Sequence, residues 1–148
     1  AFEEWDLEDI MEAGYTWVCD RLDEIKDECK LGSVYDVFET NKVRDDILVI
    51  FGVGMLYYEC ENGGFSQYVL NKNDVYKITI DALSKVGAVK TCKIVEKAMK
   101  YFFKHQGKSG SDSDLADISE DEAYDNFEEQ FEDYLEMAIN YLREKCLN

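Results

Sequence analysis

Apolar residues recur along the chain at steps of three and four, the spacing that gathers them on one face of a helix. Val18, Leu22, Ile25 and Cys29 follow steps of four, three and four, which predicts a helix from Asp6 or Tyr15 to Lys30. Leu31 and Gly32 are placed to stop it, and Ser33 to cap a short helix through Phe38. The next segment, VRDDILVIFGVGMLYYEC, carries Asp45 and Asp46 in its first turn, where they oppose the positive helix end. After that turn it is apolar all round, which predicts a buried helix of about 17 residues that breaks at Asn62. Gly52 and Gly54 inside it point to close packing on neighbouring helices.

Beyond Gly63 and Gly64 come a short segment, FSQYVLN, and then NDVYKITIDALSKVG. In the latter Asn73 or Asp74 is the expected cap, Val75, Ile78, Ala82, Leu83 and Val86 line one face, and Gly87 ends the helix. AVKTCKIVEKAMKYFFK repeats the pattern with Val89, Cys92, Val95, Met99 and Phe102 or Phe103 inward. Residues 105–118 are rich in Gly, Ser and Asp and read as a flexible acidic loop. A last helix is expected from Ser119, with the capping pattern SEDE, to Lys145. Its core face would be Tyr124, Phe127, Phe131, Tyr134 or Leu135, Ala138 and Leu142. The chain has no proline, no strand-like alternation and no internal repeat. The expectation is one all-α domain over residues 1–148, a bundle of about six helices around a buried central one.

Charge changes the picture from fold to partner. The 148 residues include 33 acidic and 16 basic ones, a formal net charge of −17. A field of that sign repels nucleic acid and anionic membranes and attracts basic proteins. The acids concentrate at the two ends. Residues 1–32 and 111–148 are strongly acidic, whereas 62–110 carry nine basic residues against three acidic ones. On the expected last helix Asp121, Asp125, Glu129, Glu132 and Glu136 form a stripe at helical spacing, with Glu128 and Asp133 alongside. Glu4, Glu8 and Glu12 do the same at the front. Like charges at i,i+4 each cost a few tenths of a kcal/mol, so such rows invite a reason for being there. One reason is geometry: a carboxylate per helical turn of about 5.4 Å, with flanking rows, approaches the phosphate spacing of a duplex. The plainer alternative is a solvated face, partly neutralised by Lys85, Lys90, Lys93, Lys97, Lys100 and Lys104.

Chemistry beyond charge is sparse. The five cysteines are widely spaced and lack CxxC pairs or neighbouring histidines, so they read as reduced packing residues. The acidic AFEEWDLEDIMEAG lacks the positive region of a signal peptide, and the longest apolar run, ILVIFGVGMLYY, is shorter than the about 20 residues a membrane span needs. A cytoplasmic protein with no membrane segment is expected. His105 stands beside the loop with no sequence partner. No Glu-x-x-His supports a bundle metal site, and DSDSDLADISEDE lacks the spacing of an EF-hand loop, so neither metal nor cofactor is expected. The regular carboxylates show no sign of the split pKa pair that hydrolysis requires.

ECENGGFSQYVLN admits two readings. Gly63 or Gly64 can take φ > 0 and close the long helix, with Ser66 or Asn62 capping the next turn and Phe65 and Tyr68 entering the core. Gln67 and Asn71 would then satisfy backbone groups at the break. The other reading is a ligand loop, but a phosphate loop would follow a strand and carry Lys and Ser or Thr after its glycines.

YYECENGGFSQYVLN, the downstream ALSKVGA and the acidic aromatic YDNFEEQFEDYLEMAINYL together resemble a family of small bacterial domains named for a DNA mimic protein. Its Asn-Gly-Gly-Phe-x-Gln-Tyr core matches Asn62, Gly63, Gly64, Phe65, Gln67 and Tyr68, with Asn71 downstream. Its Gly-Ala corner matches Val86, Gly87 and Ala88. The likeness covers roughly residues 45–145 and is most specific at the Asn-Gly-Gly-Phe block. It implies an all-helical acidic protein and, for the family's characterised member, binding to a helix-turn-helix repressor in place of operator DNA. Here the motif opens into a lysine-rich middle, so a mimic surface would be built from the terminal acidic helices.

The expected function is a non-enzymatic acidic protein that occupies the basic DNA-binding surface of a transcription factor or other DNA-binding protein. The alternative is an immunity-type or regulatory module that binds a basic protein of another kind. A third reading, an enzyme with a pocket near Asn62, Gln67 and Asn71, requires those amides to face open space. A homodimer is left open.

Overall fold

The computed structural model describes residues 5–40, 43–105 and 122–147. Glu4, Ser119, Asp121 and, apart from His105, the expected loop at 105–118 lie outside them. As the periodicity predicts, the fold is an all-α bundle. Its helices are α1 (Leu7–Glu28), α2 (Asp36–Thr40), α3 (Asp45–Lys72), α4 (Tyr76–Lys85), α5 (Val89–His105), α6 (residues 122–128) and α7 (Tyr134–Leu147).

Helix α3 is the centre. Its consecutive residues 51–56 are all buried, and it packs against α1, α4, α5 and α7. Such close contact depends on the two glycines. A Cβ on Gly52 would lie 2.5 Å from Ala82 Cβ and 2.7 Å from the Ile78 carbonyl oxygen, and one on Gly54 would collide with the Tyr15 ring. With α4 this near, the buried Thr79 hydroxyl donates to the Gly52 carbonyl oxygen at 3.0 Å, giving an otherwise costly buried polar group its partner.

Several helix ends follow local sequence. The Asp6 carboxylate accepts from the Asp9 N–H at 2.8 Å and opens α1. The Ser33 hydroxyl accepts from the Tyr35 N–H at 3.2 Å ahead of α2. Gly87 has φ +83°, and the Ala88 N–H reaches back to the Leu83 carbonyl at 2.9 Å, closing α4 as expected.

Other ends differ from expectation. Helix α1 stops at Lys30 (φ 57°), where the Leu31 N–H bonds the Lys26 carbonyl at 2.9 Å, so a lysine holds the left-handed position that glycine favours and Gly32 is not needed. Asn73 does not cap α4. Its amide donates to the Val69 and Leu70 carbonyls at 2.8 and 3.0 Å, finishing α3 instead. Val89 is 52% exposed, because the buried face of α5 runs through Thr91, Ile94, Val95, Ala98 and Met99 and leaves it to one side.

The largest difference is at the C-terminal end, where the expected continuous helix from Ser119 to Lys145 is broken at residues 129–133. Asp133 starts a new helix by accepting from the Glu136 N–H at 3.2 Å. The bend turns Phe131 edge-on to Phe65, with ring centroids 5.0 Å apart, and against Tyr134 at 5.9 Å. Aromatic packing and a fresh cap outweigh a helical register whose surface would have been a row of repelling carboxylates.

Two substitutions probe these contacts. Gly52→Ala should destabilise the fold by about 1–3 kcal/mol, because the added methyl overpacks against the Ala82 Cβ and the Ile78 carbonyl. Lys30→Gly should stabilise it by about 0.5–1 kcal/mol through relief of the left-handed strain. Denaturant melts of both variants check the signs; a neutral Gly52→Ala would mean that α3 and α4 can separate freely.

Candidate partner-binding face

The site begins at the kink in α3. Gly63 and Gly64 leave the helix, Gly64 with φ 79°, and split α3 into two limbs. Phe65 and Tyr68 enter the core, fully buried and stacked with centroids 5.9 Å apart, as expected. The second limb needs acceptors for its first N–H groups. Neither Ser66 nor Asn62 supplies one to Phe65: its N–H donates to Oε1 of Glu128, 2.6 Å away on α6. The leftover amides are also placed differently from expectation. Gln67 Nε2 and Asn71 Nδ2 both donate to Oε2 of Glu59, at 2.8 and 3.0 Å, and not to the backbone. A Cβ at Gly63 would strike the Gln67 side chain, so the bare glycine makes room for the amide to reach back along the helix. The motif is thus a bend held by its own side chains.

The predicted carboxylates divide into two groups. Glu128 and Glu132 are half-buried and bind helix starts. Oε2 of Glu132 accepts from both the N–H and the hydroxyl of Thr91 at 2.9 Å, while the Glu132 N–H donates to the Thr91 hydroxyl oxygen at 2.9 Å. Together they form a reciprocal cap on the first turn of α5, with negative charge at its positive end. Asp133 caps α7. Asp125, Glu129 and Glu136, with Glu8 and Glu12 on α1, are exposed. Because the helix breaks between Glu129 and Asp133, the stripe expected through Asp125, Glu129, Glu132 and Glu136 is not one line.

The fold nevertheless joins the acidic segments. One surface depression is lined by Tyr58, Glu59, Glu61, Asn62 and Gln67. A second includes Tyr57, Cys60, Glu61, Glu128, Glu132 and Asp133, and a third comprises Gly64, Asp125, Glu128 and Glu129. Glu61 links the first two and Glu128 the last two, which makes a continuous acidic band around the kink. Glu8 and Glu12 border it: Glu8 hydrogen-bonds Tyr57, and the charge of Glu12 acts on Tyr58. Glu136 lines none of these depressions. Glu59 and Glu61 were not singled out from the sequence, although the string ECEN places both beside the glycines.

Nor do the lysines neutralise the band. Among the described residues Lys85 pairs with Asp45 at 3.6 Å, and no Lys or Arg pairs with the carboxylates of the band. Its titratable neighbours stay protonated. Burial, then the charges of Glu128 and Glu61, push the Cys60 thiol well above its ordinary value, against a hydrogen bond to Tyr134 that lowers it. Burial first, then Cys60 and Glu128, raise the Tyr134 phenol. Burial, a hydrogen bond to Glu8 and the charge of Glu61 raise Tyr57. A thiol held protonated is a poor nucleophile, and what the arrangement offers chemically is negative potential. His105 Nδ1 lies 2.7 Å from the Tyr101 carbonyl oxygen, its ring against Tyr101. Among the described residues no group of three or more His, Cys, Asp or Glu side chains is placed to hold a metal ion, and no helix is long and apolar enough to cross a membrane.

Fold and site define an all-helical protein that presents, around a glycine kink, a band of carboxylates with no Lys or Arg paired to them among the described residues. The chain belongs to the DMP19-like protein family, whose family model matches residues 41–145. The match takes in the kink and the acids of α3, α6 and the α6–α7 turn, while Glu8 and Glu12 precede it. Neither the curated proteins nor the solved structures gave a match to the chain.

Removing a cap should be costly and removing an exposed acid should not. Glu132→Ala is expected to lower stability by about 1–3 kcal/mol, since it strips the partner from a buried hydroxyl and a helix-start N–H. Glu136→Ala should stay within about 0.5 kcal/mol. Cys60 sets a pH limit. Its folded pKa is raised, so the stability it contributes is complete below its ordinary value of 9.0 and is lost as pH rises above that. Melting temperatures from pH 7 to 10 should fall at the alkaline end, and less so in Cys60→Ala; equal slopes would remove Cys60 as a cause.

Proposed function

We propose that the protein is a non-enzymatic binding protein and a DNA mimic, whose acidic band occupies the basic DNA-binding surface of a transcription factor or other DNA-binding protein. The observation that carries this reading is the unneutralised band itself. Acids distant in sequence meet around the kink, although the chain has lysines enough to pair with many of them. The contact set is Glu8, Glu12, Glu61, Asp125, Glu129 and Asp133, with Glu128 and Glu132 holding their backbone in place. Glu4 and Asp121 extend the set in sequence, and Glu136 adds charge from α7. Membership of the DMP19-like family supports the reading. Of the contact acids, Asp133 is held by the Glu136 N–H, and a carboxylate so held loses little freedom on binding, an advantage for imitating a stiff duplex. The enzyme reading is weakened because Gln67 and Asn71 already spend their amides on Glu59.

Immobilised protein incubated with lysate should capture a basic DNA-binding protein released by a salt step and, separately, by excess duplex DNA. Against the captured partner, Glu61→Lys with Glu129→Lys should weaken binding at least about tenfold, mainly by slowing association. Gln67→Ala should lower the melting temperature and leave affinity unchanged. A partner that salt releases but DNA does not would displace mimicry in favour of a module for a basic protein of another kind.

A further inference from the structure

A second charged face, opposite in sign to the acidic band, runs along α5. Lys90, Lys93, Lys97, Lys100 and Lys104 recur at steps of three and four, which sets them in one row along the helix, and all five are exposed. From Lys90 to Lys104 the row is about 21 Å long. Like charges at this spacing repel, and the fold does not relieve them. Among the described residues no Asp or Glu forms an ion pair with any of the five. Glu96, the one acid of α5, accepts instead from the Cys92 thiol, with Sγ 3.5 Å from Oε1. Val89 and Phe103, 52% and 44% exposed, stand seven residues to either side of Glu96 and flank the row near its two ends. The molecule thus carries two strips of opposite charge that leave each other unpaired.

We propose that the lysine row of one copy docks on the acidic band of a second copy, so that the protein associates with itself head to tail. Charge complementarity selects that occupant. The row needs exposed carboxylates that no cation already holds, and the band supplies them in Glu8, Glu12, Glu61, Asp125, Glu129 and Asp133. A duplex has the sign the lysines want, but its dense charge would face a body of net charge −17, whereas a second copy brings a limited acidic strip and lysines of its own. Val89 and Phe103 also suit a protein surface, and Tyr57 and Tyr58 among the lining of the band offer them an apolar counterpart. The two faces differ, so the contact is heterologous: each added copy leaves a band open at one end and a lysine row at the other. Exposed ion pairs are individually weak, which confines the association to high protein concentration. Because the contact covers the band, it competes with any basic partner; that consequence rests on the binding function proposed above, and the contact itself does not.

Salt and charge reversal test the contact in sedimentation velocity on the purified protein. At about 0.15 M salt the screening length of about 8 Å damps the long-range repulsion between two copies and spares pairs in contact, while at about 1 M it is about 3 Å and those pairs are lost. The sedimentation coefficient is therefore expected to rise with protein concentration at the lower salt and to stay at the monomer value at the higher. Lys93→Glu with Lys100→Glu, and separately Glu61→Lys with Glu129→Lys, should each weaken association at least about tenfold. All four positions are exposed, and thermal melts check that both variants are folded. Mixed in equal amounts the two variants should associate again, because the intact band of the first meets the intact lysines of the second. A monomer at every concentration, association that strengthens toward about 1 M, or a mixture that stays monomeric overturns the contact. Capture of a DNA-binding protein is read separately, so failure here leaves the binding function standing.

Discussion

The structure depends on two carboxylates from one short stretch of chain, each satisfying the start of a helix elsewhere. Glu128 accepts the first N–H of the second limb of α3, 63 residues earlier, and Glu132 binds the first turn of α5, 41 residues earlier. Helix starts leave N–H groups that must find acceptors, and nearby Ser, Asp or Asn side chains usually provide them. Here the acceptors come from the far end of the sequence. The turn between α6 and α7 therefore fixes where α3 bends and where α5 begins, and Phe131 in the same turn seals the contact against Phe65.

This arrangement also makes the clustered charge tolerable. Carboxylates placed at successive helical turns repel each other, and a continuous helix through 121–136 would have carried that cost in full. Breaking the helix turns some of the charge toward favourable partners. Glu128, Glu132 and Asp133 each face the positive end of a helix. Glu59 is held by two amides. The same anchoring that stabilises these groups fixes the ground on which the exposed acids stand, so scaffold and surface potential are two aspects of one feature.

How much of this could be read from sequence follows from the range of the interactions. The central apolar helix, the close-packing glycines, the bend at Gly63 and Gly64, the burial of Phe65 and Tyr68, the Ser33 cap and the end at Gly87 all have local causes, and all were legible. The break after Glu128 was not, because periodicity sees the helical register of YDNFEEQFEDYLEMAINYL but not the aromatic pocket and distant N–H groups that draw it apart. For the same reason Gln67 and Asn71 were expected to serve the nearby backbone, whereas the bend brings Glu59 within reach. Lys30 in the left-handed region has no sequence signature at all, since Gly32 offers the more obvious stop. The acids were visible as residues, but their assembly into a band around the kink required the fold.

The distance between the kink and its cap also bears on how the protein is made. Synthesis proceeds from the N-terminus, so the second limb of α3 leaves the ribosome long before Glu128 exists. Through that interval the Phe65 N–H lacks the carboxylate that accepts it in the folded protein, and the aromatic pair at Phe65 and Tyr68 lacks the covering rings of Tyr124 and Phe131. The bend is consequently sealed late. A nascent chain stalled before residue 128 would present an uncapped helix and a bare aromatic patch, the kind of surface that chaperones hold until the missing segment arrives.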